Sequence, residues 1–342
     1  MDLKDNGLYS TVVGSFPLEN TEENLARTIS DQINIGIDYV CYGQLINMIN
    51  QFLIPLSQQI PELMQENNHF YLVDDFGIPT QPVALEYGKF LINFMNTHPH
   101  LKDKIKGLKA CLTGPFTLAS EITLRETLAE GIKPIIFNEP KAIMVDWIVD
   151  KFAEIMKQIG KAYSNMGINL ISMDEPILSL IVGKRVMFHS EEFIIKTINK
   201  AISGIKELSS VHVCGQISPK LRDILLQTNV IVLDHEFQTN PKNFEIFQKE
   251  HFTQKDKFLA FGAVKTKLQP IKNGKIEDYV EKVPEIKKCI EKAVKLYGKE
   301  NLFVKPDCGF GSIRNLFEKE ESAYQVAFRK LKNMVSAIKS FK

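Results

Sequence analysis

No stretch of this 342-residue chain stays apolar long enough to cross a bilayer. The amino terminus, Met1-Asp2-Leu3-Lys4-Asp5-Asn6, is charged where a leader would carry an apolar core and a cleavage site. A soluble, unprocessed protein is expected, with no membrane partner. Net charge is nearly absent as well: 42 basic residues stand against 41 acidic ones, a formal +1. No global field therefore draws the chain to nucleic acid, and a small-molecule partner is expected. Cysteine is scarce and odd in number. Cys41, Cys111, Cys214, Cys289 and Cys308, spread so thinly, make a poor disulfide framework but suit a thiolate metal site in a reducing compartment, the cytoplasm. There is no Pro/Ser/Gly-rich linker, low-complexity tract or short repeat to divide the chain. Residues 1–342 read as a single domain, and a 44% hydrophobic content is ample for its core.

What is present is a recurring unit of strand, loop and helix. Tyr9 to Val13 is β-rich and stops at Gly14-Ser15-Phe16-Pro17; Thr21-Glu22-Glu23 then supplies a helix cap with acids in the first turn, and Gly36 ends that helix. Further strands are expected at Ile37 to Cys41, Leu108 to Leu112, Ile168 to Met173, Ser210 to Cys214, Val230 to His235, Phe258 to Val264 and Leu302 to Lys305. Helices are expected from Lys141 to Met166 with Trp147 on the apolar side, from Glu191 to Leu208, from Lys220 to Gln227 behind Ser218-Pro219, from Ile276 to Tyr297 and from Glu320 to Ile338. Residues 44–106 read as an insertion on one rim, made of loop, helix and hairpin. Eight β-rich runs separated by helices are what an α/β fold of the (β/α)8 TIM barrel type requires. A dinucleotide fold is disfavoured, because the first turn lacks GxGxxG spacing.

In such a barrel, reactive residues sit at the carboxyl ends of strands. His212-Val213-Cys214 ends the fifth run, Glu236 follows the sixth, and Cys308 follows the eighth. Alone, a His-x-Cys pair is a weak signal, since a strand cysteine is more often a small buried hydrophobe. Alternate strand residues face one side, however, so His212 and Cys214 can reach a common point with Glu236 and Cys308. The donor set of nitrogen, two sulfurs and one oxygen suits tetrahedral Zn2+ and not a hard ion such as magnesium. A purely structural zinc is the bland alternative; against it, structural sites gather cysteines in close pairs, while these ligands come from three strand ends. A catalytic zinc there would let a substrate thiol bind as the thiolate, the form that attacks carbon. Asp174-Glu175 ends the fourth run with two carboxylates facing opposite ways. One is expected to enter the mouth and hold a substrate ammonium group, and the other to pair with or cap a neighbouring helix. Ser15, after Gly14, offers a hydroxyl and backbone N–H groups to a substrate carboxylate, although Gly-Ser-Phe-Pro is equally well a simple turn. His98, His100 and His235 are not first-choice ligands, and Cys41, Cys111 and Cys289 are expected to pack.

Thr11-Val12-Val13-Gly14-Ser15-Phe16-Pro17, Thr113-Gly114-Pro115, Met173-Asp174-Glu175-Pro176, His212-Val213-Cys214, Glu236 and Asp307-Cys308-Gly309 occur in one order from about residue 11 to 311. In these pieces the chain resembles the catalytic domain of the cobalamin-independent methionine synthase family, in its short archaeal-type core form. The resemblance implies a methyltransferase in which zinc is held by His212, Cys214, Glu236 and Cys308. It also implies that homocysteine is bound by Val13, Gly14, Ser15 and Asp174, to be methylated to methionine. Two departures bear on the chemistry. An acidic segment after the second strand, which helps bind the homocysteine amine in the family, is replaced by Gly43-Gln44-Leu45-Ile46-Asn47-Met48-Ile49-Asn50. The histidine placed after the seventh strand in the long enzymes has no counterpart in Gly262 to Lys267. Without that proton donor an unactivated folate amine is a poor leaving group, and methylcobalamin or a methylated corrinoid protein fits better as donor. Transfer from a corrinoid to coenzyme M or another thiol is the alternative enzyme, a non-catalytic zinc barrel a second alternative, and a metal-free decarboxylase-like barrel the last.

Overall fold

Thr21 opens the first helix in the way its sequence dictates. Its side chain accepts the Asn24 amide at 3.2 Å, and Gly36 closes the helix at φ 92°, a left-handed conformation that a Cβ resists. The computed structural model describes residues 7–341, so the charged segment Met1 to Asn6 lies outside the described residues. In chain order the elements are β1 (Tyr9–Ser10), α1 (Glu22–Ile35), β2 (Tyr39–Cys41), α2 (Met48–Ser57), β3 (Leu63–Glu66), β4 (His69–Leu72), α3 (Glu86–Thr97), β5 (Gly107–Thr113), α4 (Pro115–Glu121), β6 (Ile122–Leu124), α5 (Asp146–Asn165) and β7 (Leu170–Asp174). They continue with α6 (Leu178–Ile181), α7 (Glu191–Ile202), β8 (Leu208–Val213), α8 (Pro219–Gln227), β9 (Val232–His235), α9 (Lys249–Thr253), β10 (Phe258–Val264), α10 (Val283–Tyr297), β11 (Leu302–Pro306) and α11 (Glu320–Ile338).

Eight strands form one parallel sheet in the order β1-β11-β10-β9-β8-β7-β5-β2. A bridge between Thr11 and Tyr39 brings its two edges together, so the sheet closes into the (β/α)8 barrel that the strand count calls for. The remaining strands lie in the segments after β2 and β5: β3 and β4 form an antiparallel hairpin, and β6 pairs with β4 in parallel.

Two apolar cores follow from strand alternation. Outward residues pack beneath the helices, where Ile148, Phe152, Ile155 and Ile159 of α5 are buried. Inside the barrel a separate cluster joins Tyr9, Tyr39, Leu170, Leu208, Val232, Phe258, Ala260 and Phe303. Phe303 is its hub, with ring centroids 5.2 Å from Tyr9, 5.6 Å from Tyr39 and 5.8 Å from Phe258. Two to four residues further along the same strands this face turns polar, at Asp234, Lys305, Asp174 and His212. An aromatic plug thus floors the barrel and a polar chamber lies above it.

Some expected boundaries shift. Trp147 is not on the apolar side: it stands in the first turn of α5, 37% exposed, with its ring 6.2 Å from Phe76 at the rim. The expected helix from Ile276 divides into a single 3-10 turn, Ile276–Tyr279, and α10, because a proline at the start of α10 suits only a first helical turn. The helix begun at Glu191 ends at Ile202.

Candidate metal centre

His212 lies at the end of β8 facing the chamber, and Cys214 follows just past the strand. Gly215, at φ 90°, then turns the chain away. Cys308 arrives from the loop after β11. The His212 Nε2 is 3.0 Å from Cys214 Sγ, which is 3.2 Å from Cys308 Sγ, and one ligand atom from each of the three residues lies within 4.8 Å of the others. The cysteines are free, and their sulfurs are well beyond the ~2.05 Å of a disulfide. One imidazole nitrogen and two thiols converging at the mouth of a barrel are a donor set that zinc accepts and hard ions refuse.

The protonation of this group follows from its neighbours. Asp234 Oδ1 lies 2.6 Å from His212 Nδ1, so Nδ1 carries the hydrogen and Nε2 faces the sulfurs. Burial alone would lower His212, but the Asp234 carboxylate outweighs it and pushes the imidazole up to about 10. The two thiols share a proton unequally. The Cys214 hydrogen bond, with the nearby His212 and Lys305, holds Cys308 well below the usual thiol range, and the same bond to Cys308 pushes Cys214 up. Asp234 itself is depressed: burial opposes its charge, and Lys305 and His212 overcome that penalty.

Glu236 follows β9 and is buried, but it stands outside the three-residue group. Its carboxylate accepts from Asn240 Nδ2 at 2.6 Å and pairs with Lys267 Nζ at 3.0 Å. Burial would raise its pKa; the Lys267 and Asn240 contacts bring it below the ordinary value.

Asp174 and Glu175 divide in direction. Asp174, at the end of β7 and in register with His212, points into the chamber at 5% exposure. Its Oδ1 has no hydrogen-bond partner among the described residues, and burial pushes its carboxyl up to about 7 against the pull of His212 and Lys109. A buried, unpartnered carboxylate oxygen is costly, and a cationic ligand group would relieve it. Glu175 instead caps α4, accepting Phe116 N at 2.9 Å, Thr117 N at 2.8 Å and Thr117 Oγ1 at 2.6 Å.

The loop after β1 passes beside this chamber. Val13 O accepts from Cys111 Sγ at 3.2 Å, Gly14 O accepts the Gln44 amide at 3.0 Å, and Ser15 Oγ accepts the Gly311 amide at 3.2 Å. A cavity of about 350 Å³ opens here, lined by Ser15, Phe16, Gln44, Asn47, Met48 and Arg314 among others. Gln44 Nε2 donates to Gln51 Oε1 at 2.6 Å, so this segment presents amides in place of carboxylates.

Sequence pattern assigned no role to Asp307, Asp234, Lys305 or Lys267. Asp307 is fully buried, and its carboxylate takes four donors from the loop behind Glu236: Phe237 N (2.8 Å), Gln238 N (3.0 Å), Thr239 N (2.6 Å) and Thr239 Oγ1 (2.7 Å). Gly262 admits it; a Cβ there would lie 1.9 Å from Asp307 Oδ1. The available signal was charge inside apolar strands: Lys109 and Lys305 each interrupt a hydrophobic run, which a solvated face does not explain.

Residues 95–340 match the family described as cobalamin-independent synthase, catalytic domain. The chain is 27% identical to the methionine synthase of Methanocaldococcus jannaschii over 364 residues, covering 98% of this chain and 100% of that one. It is 28% identical to the methionine synthase of Methanothermobacter thermautotrophicus, covering 96% and 99%. Among solved structures, a B12-independent methionine synthase from Shewanella sp. W3-18-1, in complex with selenomethionine, superposes with a TM-score of 0.64 at 17% identity, covering 98% of this chain and 97% of that one. A methyltransferase from Methanosarcina mazei gives 0.64 at 14%, covering 99% and 96%. The two structural likenesses establish the fold.

Proposed function

Because the chain belongs to the family of cobalamin-independent synthase catalytic domains, we propose that it is a zinc-dependent methyltransferase that methylates the thiol of homocysteine to give methionine. The observation that carries this reading is the convergence of His212, Cys214 and Cys308 beside the unpartnered Oδ1 of Asp174, at the mouth of a closed barrel. Relatives matched over nearly their whole length are methionine synthases, which favours homocysteine over coenzyme M as acceptor.

His212, Cys214 and Cys308 would hold the zinc, with Glu236 as the fourth ligand once released from Lys267. Zinc, when bound, supplies a Lewis acid that keeps a substrate thiol in its thiolate form at neutral pH. The chain's own residues do the rest. Asp174 receives the substrate ammonium in the chamber, where an opposite charge stabilises its carboxylate. Ser15 and the backbone of Val13 and Gly14 orient the substrate carboxylate beside the 350 Å³ cavity. The substrate sulfur then forms its bond to the methyl carbon as the donor's bond to that carbon breaks.

The donor is proposed to be methylcobalamin or a methylated corrinoid protein. After β10, where a proton donor would serve an amine leaving group, the structure has Lys267. A lysine ammonium, with an ordinary pKa of about 10.4, is a poor acid at neutral pH. A corrinoid leaving group needs no proton. Five free cysteines fit a reducing compartment, and cytoplasmic residence is part of the proposal. Among the described residues, no helix is long and apolar enough to cross a membrane.

The test is a methyl-transfer assay that crosses methylcobalamin and methylfolate with homocysteine and coenzyme M, alongside the zinc content of the purified protein. About one zinc per chain and methionine formed from methylcobalamin are expected. Methylation of coenzyme M alone would replace the acceptor, and zinc bound without transfer to any thiol would leave a non-catalytic barrel. A protein that neither carries zinc nor takes it up on titration would overturn the reading.

A further inference from the structure

Lys305 is a fully buried cation of the chamber. It is 0% exposed, its Nζ lies 2.6 Å from Asp234 Oδ1, and it donates to the Asp307 carbonyl at 2.8 Å. The same Asp234 oxygen is 2.6 Å from His212 Nδ1. Three strands are joined in this way: β8 through His212, β9 through Asp234 and β11 through Lys305. The lysine crosses β10, where the inward positions Ala260 and Gly262 lie in register with Asp234 and Lys305 and are small enough to leave room. Cys308 follows Lys305 by three residues, directly after the carbonyl that the lysine holds.

A buried lysine is costly to desolvate and is kept only where its contacts repay that cost. Asp234 could accept the His212 hydrogen without it, so stabilising His212 alone does not explain Lys305. We propose that Lys305 is a positioning residue for the metal centre, fixing Asp234 so that His212 Nε2 faces the two cysteines and tying that orientation to the loop that carries Cys308. This rests on the zinc reading above and adds to it a residue that touches neither the metal nor the substrate. An imidazole that binds a metal is oriented through its other nitrogen, and the group on that nitrogen must itself be anchored. Lys305 supplies the anchor from the strand that ends in a second ligand.

The experiment measures zinc affinity by competition with a chromophoric chelator, and the visible absorption of the cobalt(II)-loaded protein, which reports ligand geometry. Four proteins are compared: wild type, Lys305→Met, Asp234→Asn/Lys305→Met and Lys257→Met. Lys305→Met leaves the buried Asp234 carboxylate with His212 but without its ammonium partner, and is expected to melt lower. The double variant removes both charges together and restores folding without restoring the anchor. Lys257 is the matched control, a 5% exposed lysine just before β10 that donates to Thr228 O at 2.7 Å and Val230 O at 2.5 Å, at the far end of the barrel. Zinc affinity should fall about tenfold to a hundredfold in both Lys305 variants, with an altered cobalt spectrum, and stay at the wild-type level in Lys257→Met.

Native affinity and spectrum in Lys305→Met would overturn the proposal. So would their full return in the double variant, which would make Lys305 only a counter-charge for Asp234, or an equal loss in Lys257→Met, which would make the effect general destabilisation. If wild type binds no zinc, the functional reading falls and takes this inference with it. If wild type binds zinc and the variants match it, the inference alone fails.

Discussion

Cys308 joins the two halves of the proposed chemistry, because it is a candidate ligand and it follows Asp307, whose carboxylate holds the loop behind Glu236. Replacing Cys308 with alanine removes one of three converging donors. Zinc in the purified protein should fall from about one per chain to a small fraction, with methyl transfer lost in proportion; elemental analysis beside the transfer assay checks this. Asp307→Asn tests the neighbouring role. An amide presents one acceptor where four donors now meet a carboxylate, so at least one buried N–H is left facing an NH2 group. A loss of about 2–4 kcal/mol in denaturant unfolding is expected. An unchanged midpoint would mean that solvent reaches the loop. Of the residues in this region, the ligand types could be read from sequence because thiol and imidazole side chains are rare and chemically marked. Lys305 and Asp234 could not, since their purpose lies in a contact between strands far apart in the chain.

At the level of elements, the connections between strand ends and helices carry two buried histidines that stay neutral. His189, ahead of α7, is lowered by burial although Asp146 opposes the shift; its Nδ1 lies 2.7 Å from Asp146 Oδ1 and its ring stacks on Phe193 at 4.8 Å. His235, closing β9, is pushed down to about 3 by burial and stacks on Phe247 at 5.4 Å. A histidine depressed in the folded state takes up its proton more readily when unfolded. Its contribution to stability is therefore complete above about pH 6.5 and is lost as pH falls below that value. For His235 the loss approaches about 1.4 kcal/mol per pH unit between 6.5 and its folded value. Melting temperature should drop between pH 7.5 and 5 in wild type and drop less in a His189→Gln/His235→Gln variant. A slope that survives in that variant would locate the acid sensitivity elsewhere. Helix starts were legible at this scale, because Thr21 and Ser218 are caps whose side chains bond the third residue on, at Asn24 and Leu221. The start of α10 was marked by its proline as well, whereas the exposure of Trp147 was not legible, since it depends on what a neighbouring segment covers.

For the whole molecule, the barrel separates stability from function by depth. The aromatic floor around Phe303 lies below the polar chamber and includes none of the candidate ligands. Phe303→Ala should cost about 3–5 kcal/mol, read by denaturant unfolding, and leave zinc affinity unchanged at a temperature where the variant is folded. A parallel loss of zinc affinity would show that the floor also sets the chamber's shape.

Sequence alone determined the periodic alternation of eight strands with helices, the residues at the strand ends and the chemistry those residues can offer, because local patterning and side-chain type are written in the chain itself. It also determined that Asp174 and Glu175 would part company, since adjacent strand residues face opposite sides. Only the tertiary structure decided which of the offered groups meet. Closure of the sheet brings His212, Cys214 and Cys308 within 4.8 Å, holds Glu236 on Lys267 and Asn240, and buries Lys305 against Asp234. Those outcomes depend on shear and register between strands up to about a hundred residues apart, distances over which no local pattern carries information.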